Sequence, residues 1–336
     1  MNICICGGGS LGHVCAGVIA SRSDVELNLL SGHPNLWQNS IKVTDSNGKQ
    51  YIARLKKVSS NPEDVIVGQD IILLCLPGYL IEKTLRDIKP YIGDAVVGTV
   101  VSSTGFFFFA HNILGDNAKL FGFQRVPFIS RVVDYGNTAN LLGYKSNLVA
   151  VLENIDNKEK FRKVLEHLFI TSVTLLNSFY EVSLSNSNPI LHTGRLYTMF
   201  HGREDVVFTH NILFYKEWND ETSQLLIDMD AEFFQLLNIL DIKSIPTLLD
   251  YYESKDVKSL TQKISSIPAF QHITSPMKQV DGGWVIDFSS RYFTEDFPYG
   301  LNIIKNIAQK KGIKTPNIDK VLKWGMSHIN CSYDRL

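Results

Sequence analysis

Apolar and polar positions follow two different rhythms along this chain. In the first half, short unbroken apolar runs alternate with stretches of helical spacing. Asn2–Cys6 is one such run; glycines follow at once, and then a helical stretch, His13–Ser21, carrying Val14, Ala16, Gly17, Val18 and Ala20. Val25–Leu30 reads as a second strand. Asp70–Leu76 is another apolar run and stops at Pro77-Gly78; Tyr79–Lys89 then has helical spacing, and Ala95–Val101 is again continuously apolar. Unbroken runs of this kind suit parallel strands covered on both faces. Ile41–Thr44 and Tyr51–Leu55 flank Ser46-Asn47-Gly48-Lys49, and Asn-Gly between two such segments predicts a hairpin. Strand and helix alternate to about residue 150, the pattern of a doubly wound sheet.

From about Asn157 amphipathic helical spacing takes over. Lys158–Phe169 predicts one helix. Residues 217–240 predict a longer one, with Leu225, Ile227, Met229, Phe233, Leu236, Leu237 and Leu240 at spacings of three and four. Ile303–Lys311 and Asn317–Trp324 predict two more. The predicted fold class is α/β: an N-terminal doubly wound sheet over 1–180 and an all-helical C-terminal domain over 181–336. A length of 336 residues also favours two cores over one. The long helix would either line the interface of a homodimer or pack internally.

Charge and composition narrow the partners. The chain has 33 basic and 34 acidic residues, a formal net charge of −1. No global basic field exists to attract nucleic acid or an anionic membrane, so neither is expected as a partner. No apolar run approaches the ~20 residues that span a bilayer; Phe106–Phe109 is the greasiest spot and is far too short. The N-terminus enters a strand and a glycine turn without a charged leader, and its glycines fall where the apolar centre of a signal peptide would be. The five cysteines are Cys4, Cys6, Cys15, Cys75 and Cys331. An odd number argues against a disulfide framework, and Cys4-Ile5-Cys6 lacks zinc-knuckle spacing. Buried thiols in a cytoplasmic protein without a metal are the expectation.

The first candidate chemistry lies at the N-terminus. Gly7, Gly9 and Gly12 have G-x-G-x-x-G spacing between a strand and a helix. In a Rossmann dinucleotide site the first glycine permits the tight turn, the second lets the backbone approach the pyrophosphate, and the third lets helix and sheet pack closely. The N–H groups of Ser10 and Leu11, opening the helix, would face the phosphates. An NAD site usually carries Asp or Glu at the end of the second strand; here Ser31 stands there, followed by Gly32 and His33. With no carboxylate to repel a 2′-phosphate, NADP is the expected cofactor and NAD the alternative. Pro77, at the carboxyl edge of the sheet, would border the nicotinamide end, as would Val101–Gly105.

The second half offers Asn188-Pro189-Ile190-Leu191-His192 and Arg291-Tyr292-Phe293-Thr294-Glu295-Asp296-Phe297-Pro298-Tyr299-Gly300. Taken singly, His192 reads as a cap or a satisfied core residue, and Arg291 with Asp296 as a surface ion pair of little worth. Taken with the glycines, in this order along nearly the whole chain, they resemble the opine dehydrogenase family of octopine/nopaline type. The resemblance implies that His192 is the catalytic acid/base, that Asp296 pairs with it, and that Arg291 binds a substrate carboxylate, with Asn188 beside the substrate. It implies reduction, by NAD(P)H, of the imine formed between an amino acid and a 2-oxo acid. Family members tend to carry a threonine before a Leu-Pro element in the first domain. This chain instead has Arg125 before Val126-Pro127, with Arg131 following; Arg125, the candidate, or Arg131 would hold an acidic group of the substrate, the alternative being that they face solvent.

The chemistry is coherent on its own terms. A hydride delivered to carbon leaves nitrogen needing a proton, which a histidine can supply. A carboxylate on its far side orients the ring, and an arginine fork matches a carboxylate. Two readings compete. Ketopantoate reductase-like enzymes rely on a lysine in the second-domain helix, and none lies near 188–192. A non-catalytic NADP(H) sensor would need no His–Asp–Arg group at all.

Overall fold

The computed structural model describes residues 1–329; Cys331 and the rest of the C-terminal tail of the predicted second domain lie outside the described residues. The chain divides into two compact units, the first Met1–Ser183 and the second from Leu184 onward.

The first unit is built on β1 (Asn2–Cys6), α1 (Ser10–Ala20), β2 (Glu26–Leu30), β3 (Ser40–Asp45), β4 (Gln50–Ser59), α2 (Pro62–Ile66), β5 (Ile71–Leu74), α3 (Gly78–Ile88), β6 (Val96–Thr99), α4 (Phe106–Leu114), β7 (Leu120–Phe123), β8 (Phe128–Asp134), β9 (Thr138–Tyr144), β10 (Asn147–Glu153), α5 (Lys158–Phe169) and β11 (Ser172–Leu175); α6 (Phe179–Leu184) ends at the boundary. The strands form one sheet in the order β11-β10-β7-β6-β5-β1-β2-β4-β3-β9-β8. The six neighbours from β7 to β4 are mutually parallel. Within that run β1, β2, β5 and β6 are the strands the sequence predicts; β4 enters it as the second arm of the predicted hairpin, and β7 is an addition. Ile3 pairs in register with Leu27 on one side and Ile71 on the other, and all three are buried. Helix α1 lays Val14, Cys15, Val18 and Ile19 into the same core. The Asn-Gly segment closes β3 and β4 as an antiparallel hairpin, with Ile41 opposite Ala53.

Two strand features escaped the sequence reading. β8 and β9 form a second hairpin at the sheet edge, and β11 pairs parallel with β10 beyond the point where helices were expected to take over. β8 has one wet face: Phe128 is buried, while Ile129 and Val133 are exposed. With apolar residues on both faces it shows neither a buried run nor a clean alternation. β11 is only four residues long.

The second unit comprises α7 (Asn188–Phe200), α8 (Asp220–Ile239), α9 (Leu248–Tyr251), α10 (Val257–Ser266), a ribbon of β12 (Met277–Val280) and β13 (Gly283–Ile286), α11 (Arg291–Thr294), a π-helical turn at Phe297–Leu301, α12 (Asn302–Lys310) and α13 (Pro316–Ser327). A helical domain was expected, and the short antiparallel ribbon is an addition to it. α8 begins where the Asn219 side chain accepts from the Thr222 N–H at 3.0 Å. Its Leu225, Leu226, Met229, Phe233, Leu236 and Leu237 are buried, and it packs against α7, α10, α12 and α13. One face of this helix therefore packs internally, as one of the two alternatives has it. Glu232, also buried, receives the first backbone N–H groups of α13, from Asn317 at 2.8 Å and Ile318 at 3.0 Å. Among the described residues no helix is long and apolar enough to cross a membrane.

Candidate functional site

The glycine turn follows β1 directly. Gly7 has φ +124°, and a Cβ there would fall 2.5 Å from the Cys75 carbonyl oxygen. A Cβ on Gly12 would fall 2.0 Å from the Gly7 carbonyl, so the third glycine is what lets α1 close on the turn. Gly9 differs: a Cβ there would meet no protein atom within 4 Å. The protein does not need that glycine for its own packing; a ligand approaching the backbone would. Gly9 caps α1, and the N–H groups of Ser10, Leu11 and Gly12 lie in the first turn, where a helix has no internal acceptors. An open glycine cradle at the positive end of a helix fits a pyrophosphate.

A cleft of about 490 Å³ runs from this turn along the sheet edge, lined by Gly7, Gly9, Ser31, His33, Lys83 and Tyr135 among others. Ser31 is in it, yet its hydroxyl is already engaged. It accepts from the Trp37 indole N–H at 3.1 Å and the His33 backbone N–H at 3.3 Å, and it is 3% exposed. Lys83, on α3, is exposed and paired with Asp87 of the same helix. Pro77 caps α3, placed by the end of β5. The Ser10 hydroxyl accepts from the Val132 N–H at 3.2 Å, tying the turn to β8.

His13 went unrecognised in the sequence and is central here. It is 1% exposed and stacked on Trp37 at 4.1 Å. Its Nε2 accepts from the Gly136 N–H at 2.8 Å, so its Nδ1 carries the proton and donates to the Gly9 carbonyl at 2.9 Å. Burial holds this imidazole below its ordinary pKa, in the neutral form that this pairing needs. A histidine one residue past the third glycine was the available signal. Cys4, Cys6, Cys15 and Cys75 are all buried free thiols.

In the second unit the two separated motifs meet. Pro189 packs on Gly300: a Cβ on that glycine would fall 2.5 Å from the proline ring. Gly325 of α13 gives the Phe297 ring similar room, which seats the π-helical turn after Asp296. The consequence is a hydrogen bond of 2.8 Å between His192 Nδ1 and Asp296 Oδ2, across 104 residues. His192 is 9% exposed, and its ring lies against Tyr292 at 4.7 Å and edge-on to Phe214 at 5.6 Å. Asp296 thus pairs with His192 rather than with Arg291. Arg291 opens α11, is exposed and has no ion pair among the described residues. Asn188, the first residue of α7, is exposed. Arg125 belongs to the first unit, exposed in the turn between β7 and β8, and Arg131 is exposed on β8. The sequence reading missed Tyr215, whose hydroxyl lies 3.1 Å from His192 Nε2.

Comparison with known proteins gives the same direction throughout. The alpha-helical domain of NAD/NADP octopine/nopaline dehydrogenases matches residues 175–329. Octopine dehydrogenase of Mizuhopecten yessoensis is 28% identical, over 99% of this chain and 91% of that one. Tauropine dehydrogenase of Arabella iricolor is 27% identical, over 98% and 91%. The solved structure of octopine dehydrogenase with NADH and L-arginine superimposes with a TM-score of 0.86 at 26% identity, covering 99% of this chain and 92% of that one. With a glycine turn at the head of a helix in one unit and a paired histidine in the other, the chain is similar to the octopine and opine dehydrogenases along nearly its whole length.

Proposed function

We propose that this protein reduces the imine formed between the amine of an amino acid and the carbonyl of a 2-oxo acid, releasing a secondary amine that carries both carboxylates. One observation carries the assignment of roles: Asp296 holds His192 at 2.8 Å while Arg291, five residues before Asp296, stands exposed and without an ion pair among the described residues. Condensation of amine and oxo acid expels one water. When bound, the reduced nicotinamide supplies the hydride that adds to the imine carbon. His192 supplies the proton that the nitrogen takes up and accepts it in the reverse direction. Asp296 keeps the ring in one tautomer and orientation. Arg291 receives a substrate carboxylate with its planar fork, Asn188 contributes to the same substrate, and Arg125 receives a second acidic group.

The first unit, 1–180 in the sequence reading, serves the dinucleotide and the remainder serves the substrates. Gly7, Gly9 and Gly12 admit the pyrophosphate to the N–H groups of Ser10 and Leu11, and Pro77 borders the nicotinamide. NADPH is the preferred carrier in this reading. No carboxylate stands at the end of β2, and Lys83 in the cleft offers a cation. With the Ser31 hydroxyl taken by Trp37, contacts to a 2′-phosphate fall to Gly32, His33 and Lys83 rather than to that hydroxyl.

The test follows oxidation of NADPH and of NADH at 340 nm with pooled amino acids plus pooled 2-oxo acids, each pool omitted in turn, beside the His192→Ala protein. Oxidation requiring both pools and lost in the variant is the expected result. Oxidation with oxo acids alone would make it an ordinary 2-oxo-acid reductase. Binding of cofactor without turnover in any mixture would support the sensor. A lower KM for NADH than for NADPH would overturn the cofactor preference alone.

A further inference from the structure

We infer that Tyr215 is a positioning residue for the proton chemistry of His192, clamping the ring nitrogen opposite Asp296. The inference rests on the reading of His192 as the acid/base and adds a third member to its pair. Both nitrogens of the His192 ring are hydrogen-bonded: Nδ1 to Asp296 Oδ2 at 2.8 Å and Nε2 to the Tyr215 hydroxyl at 3.1 Å. A carboxylate can only accept, so Nδ1 carries a proton; in the neutral ring Nε2 accepts the phenol O–H, and in the protonated ring that acts as the acid Nε2–H donates to the phenol oxygen. Burial pushes the Tyr215 hydroxyl well above its ordinary pKa, which keeps it a donor.

The ordinary explanation of such a contact is that a buried tyrosine must satisfy its hydroxyl somewhere. The surroundings argue for more than that. Tyr215 lies on the non-helical segment between α7 and α8, and that segment is pinned by a side chain from the helix that carries His192. Arg195, one turn beyond His192 on α7 and 2% exposed, donates to the Phe214 carbonyl at 3.0 Å, the Glu217 carbonyl at 2.7 Å and the Thr222 hydroxyl at 3.1 Å. Its guanidinium also lies over the Trp218 ring at 5.3 Å. From the other side, the Phe214 N–H donates to the Ile273 carbonyl at 2.8 Å, and Phe270 stacks on the Tyr215 ring at 4.5 Å. An arginine withdrawn from water is expensive to place. Here it registers the segment of Tyr215 against the same helix face that presents His192. Helix α7 therefore supplies both the ring and the anchor of the group that holds the ring.

Held from one side only, the imidazole can rock about its Cβ–Cγ bond and sample the other tautomer. Held from both, its Nε2 has one direction, along which it gives a proton as the imidazolium or accepts one as the neutral ring once the substrate nitrogen takes over from the phenol. Positional control of this kind acts on turnover more than on substrate affinity.

The experiment compares full-length wild type, Tyr215→Phe and His192→Ala, measuring kcat and KM and recording long-range ¹H–¹⁵N spectra of histidine-labelled wild type and Tyr215→Phe. His192→Ala assigns the resonance. The expected result is a kcat lower by roughly 10-fold in Tyr215→Phe, equivalent to about 1.4 kcal/mol, with KM for both substrates within about twofold of wild type. The wild-type spectrum should show the Nδ1–H tautomer with Nε2 accepting a hydrogen bond, and the Nε2 signal should move toward the unbonded position in the variant. An unchanged kcat in Tyr215→Phe beside an inactive His192→Ala would overturn this inference and leave the proposed reaction standing. Full activity in His192→Ala would instead remove the reading on which it rests. Should Tyr215→Phe fail to fold, an Nε2–H tautomer in wild type overturns the inference by itself.

Discussion

The two units build their sites from different material. The first uses backbone. Within six residues, Gly7 turns the chain, Gly12 lets α1 close, and Gly9 leaves an opening that no protein atom needs. The second uses side chains from three separated segments. His192 from α7, Tyr215 from the segment before α8 and Asp296 from the position just before the π-helical turn form one hydrogen-bonded row. The contrast has a physical basis. Binding a polyanion requires converging N–H groups and space, which a turn running into a helix supplies locally. Moving a proton requires a titratable ring with a fixed direction, and no short segment can approach one ring from both of its nitrogens. A backbone site is therefore damaged by adding atoms, and a side-chain site by removing them.

Asp296→Asn is the sharpest removal, since the amide has the same shape and no charge and can turn its NH₂ toward Nδ1. The expected outcome is a kcat lower by roughly 100- to 10,000-fold, with cofactor affinity unchanged by fluorescence titration. Loss of cofactor binding would mean that the two sites are not separable in this way. Next come the additions. Gly12→Ala places a methyl group 2.0 Å from the Gly7 carbonyl, so thermal stability and cofactor binding should both fall. Gly9→Val should leave the melting temperature near that of wild type while weakening cofactor binding by at least about 10-fold, the equivalent of about 1.4 kcal/mol. Equal melting temperatures for the two variants would break the distinction between an opening kept for a ligand and a contact the fold requires.

The smallest effect comes from a second carboxylate of the same unit. Asp230 is buried on α8 and accepts the Leu248 N–H at 2.9 Å; burial raises its carboxyl to about 6. Because the folded state holds this proton more tightly than the unfolded chain, Asp230 makes stability fall as pH rises from about 4 to about 6. Above that range the ionised group costs up to about 3 kcal/mol. Asp230→Asn should thus raise the melting temperature at pH 7.5 and lose that gain near pH 4, with turnover unchanged. A fall in turnover would draw Asp230 into the site and blur its difference from Asp296.

Legibility followed the same division. The centre of the parallel core, β1, β5 and β6, announced itself through apolar runs, because a strand covered on both faces favours apolar residues at every position. The edge hairpin β8–β9 did not, because one of its faces is wet and still carries Ile129 and Val133. His13 stood in plain view after the glycines, but its role depends on Gly136, which sits 123 residues away. Ser31, read from the sequence at the end of β2, lines the cleft, whereas the loss of its hydroxyl to Trp37 depends on how the chain folds back after β2.

For the second unit, residue types and spacing in the two motifs pointed to His192, Asp296 and Arg291 only through resemblance to a family. Their juxtaposition is decided by packing, with Pro189 against Gly300 and Phe297 against Gly325. Tyr215 carries no motif. It reaches His192 because Arg195 pins its segment by two backbone carbonyls, and a carbonyl leaves no trace in residue identity. The sequence by itself determined what acts within one turn of helix or one strand: the glycine turn before α1, the apolar strands at the centre of the sheet and the apolar spacing of α8. Tertiary structure decided which ring nitrogen faces which partner, because that depends on surfaces brought together across a hundred residues.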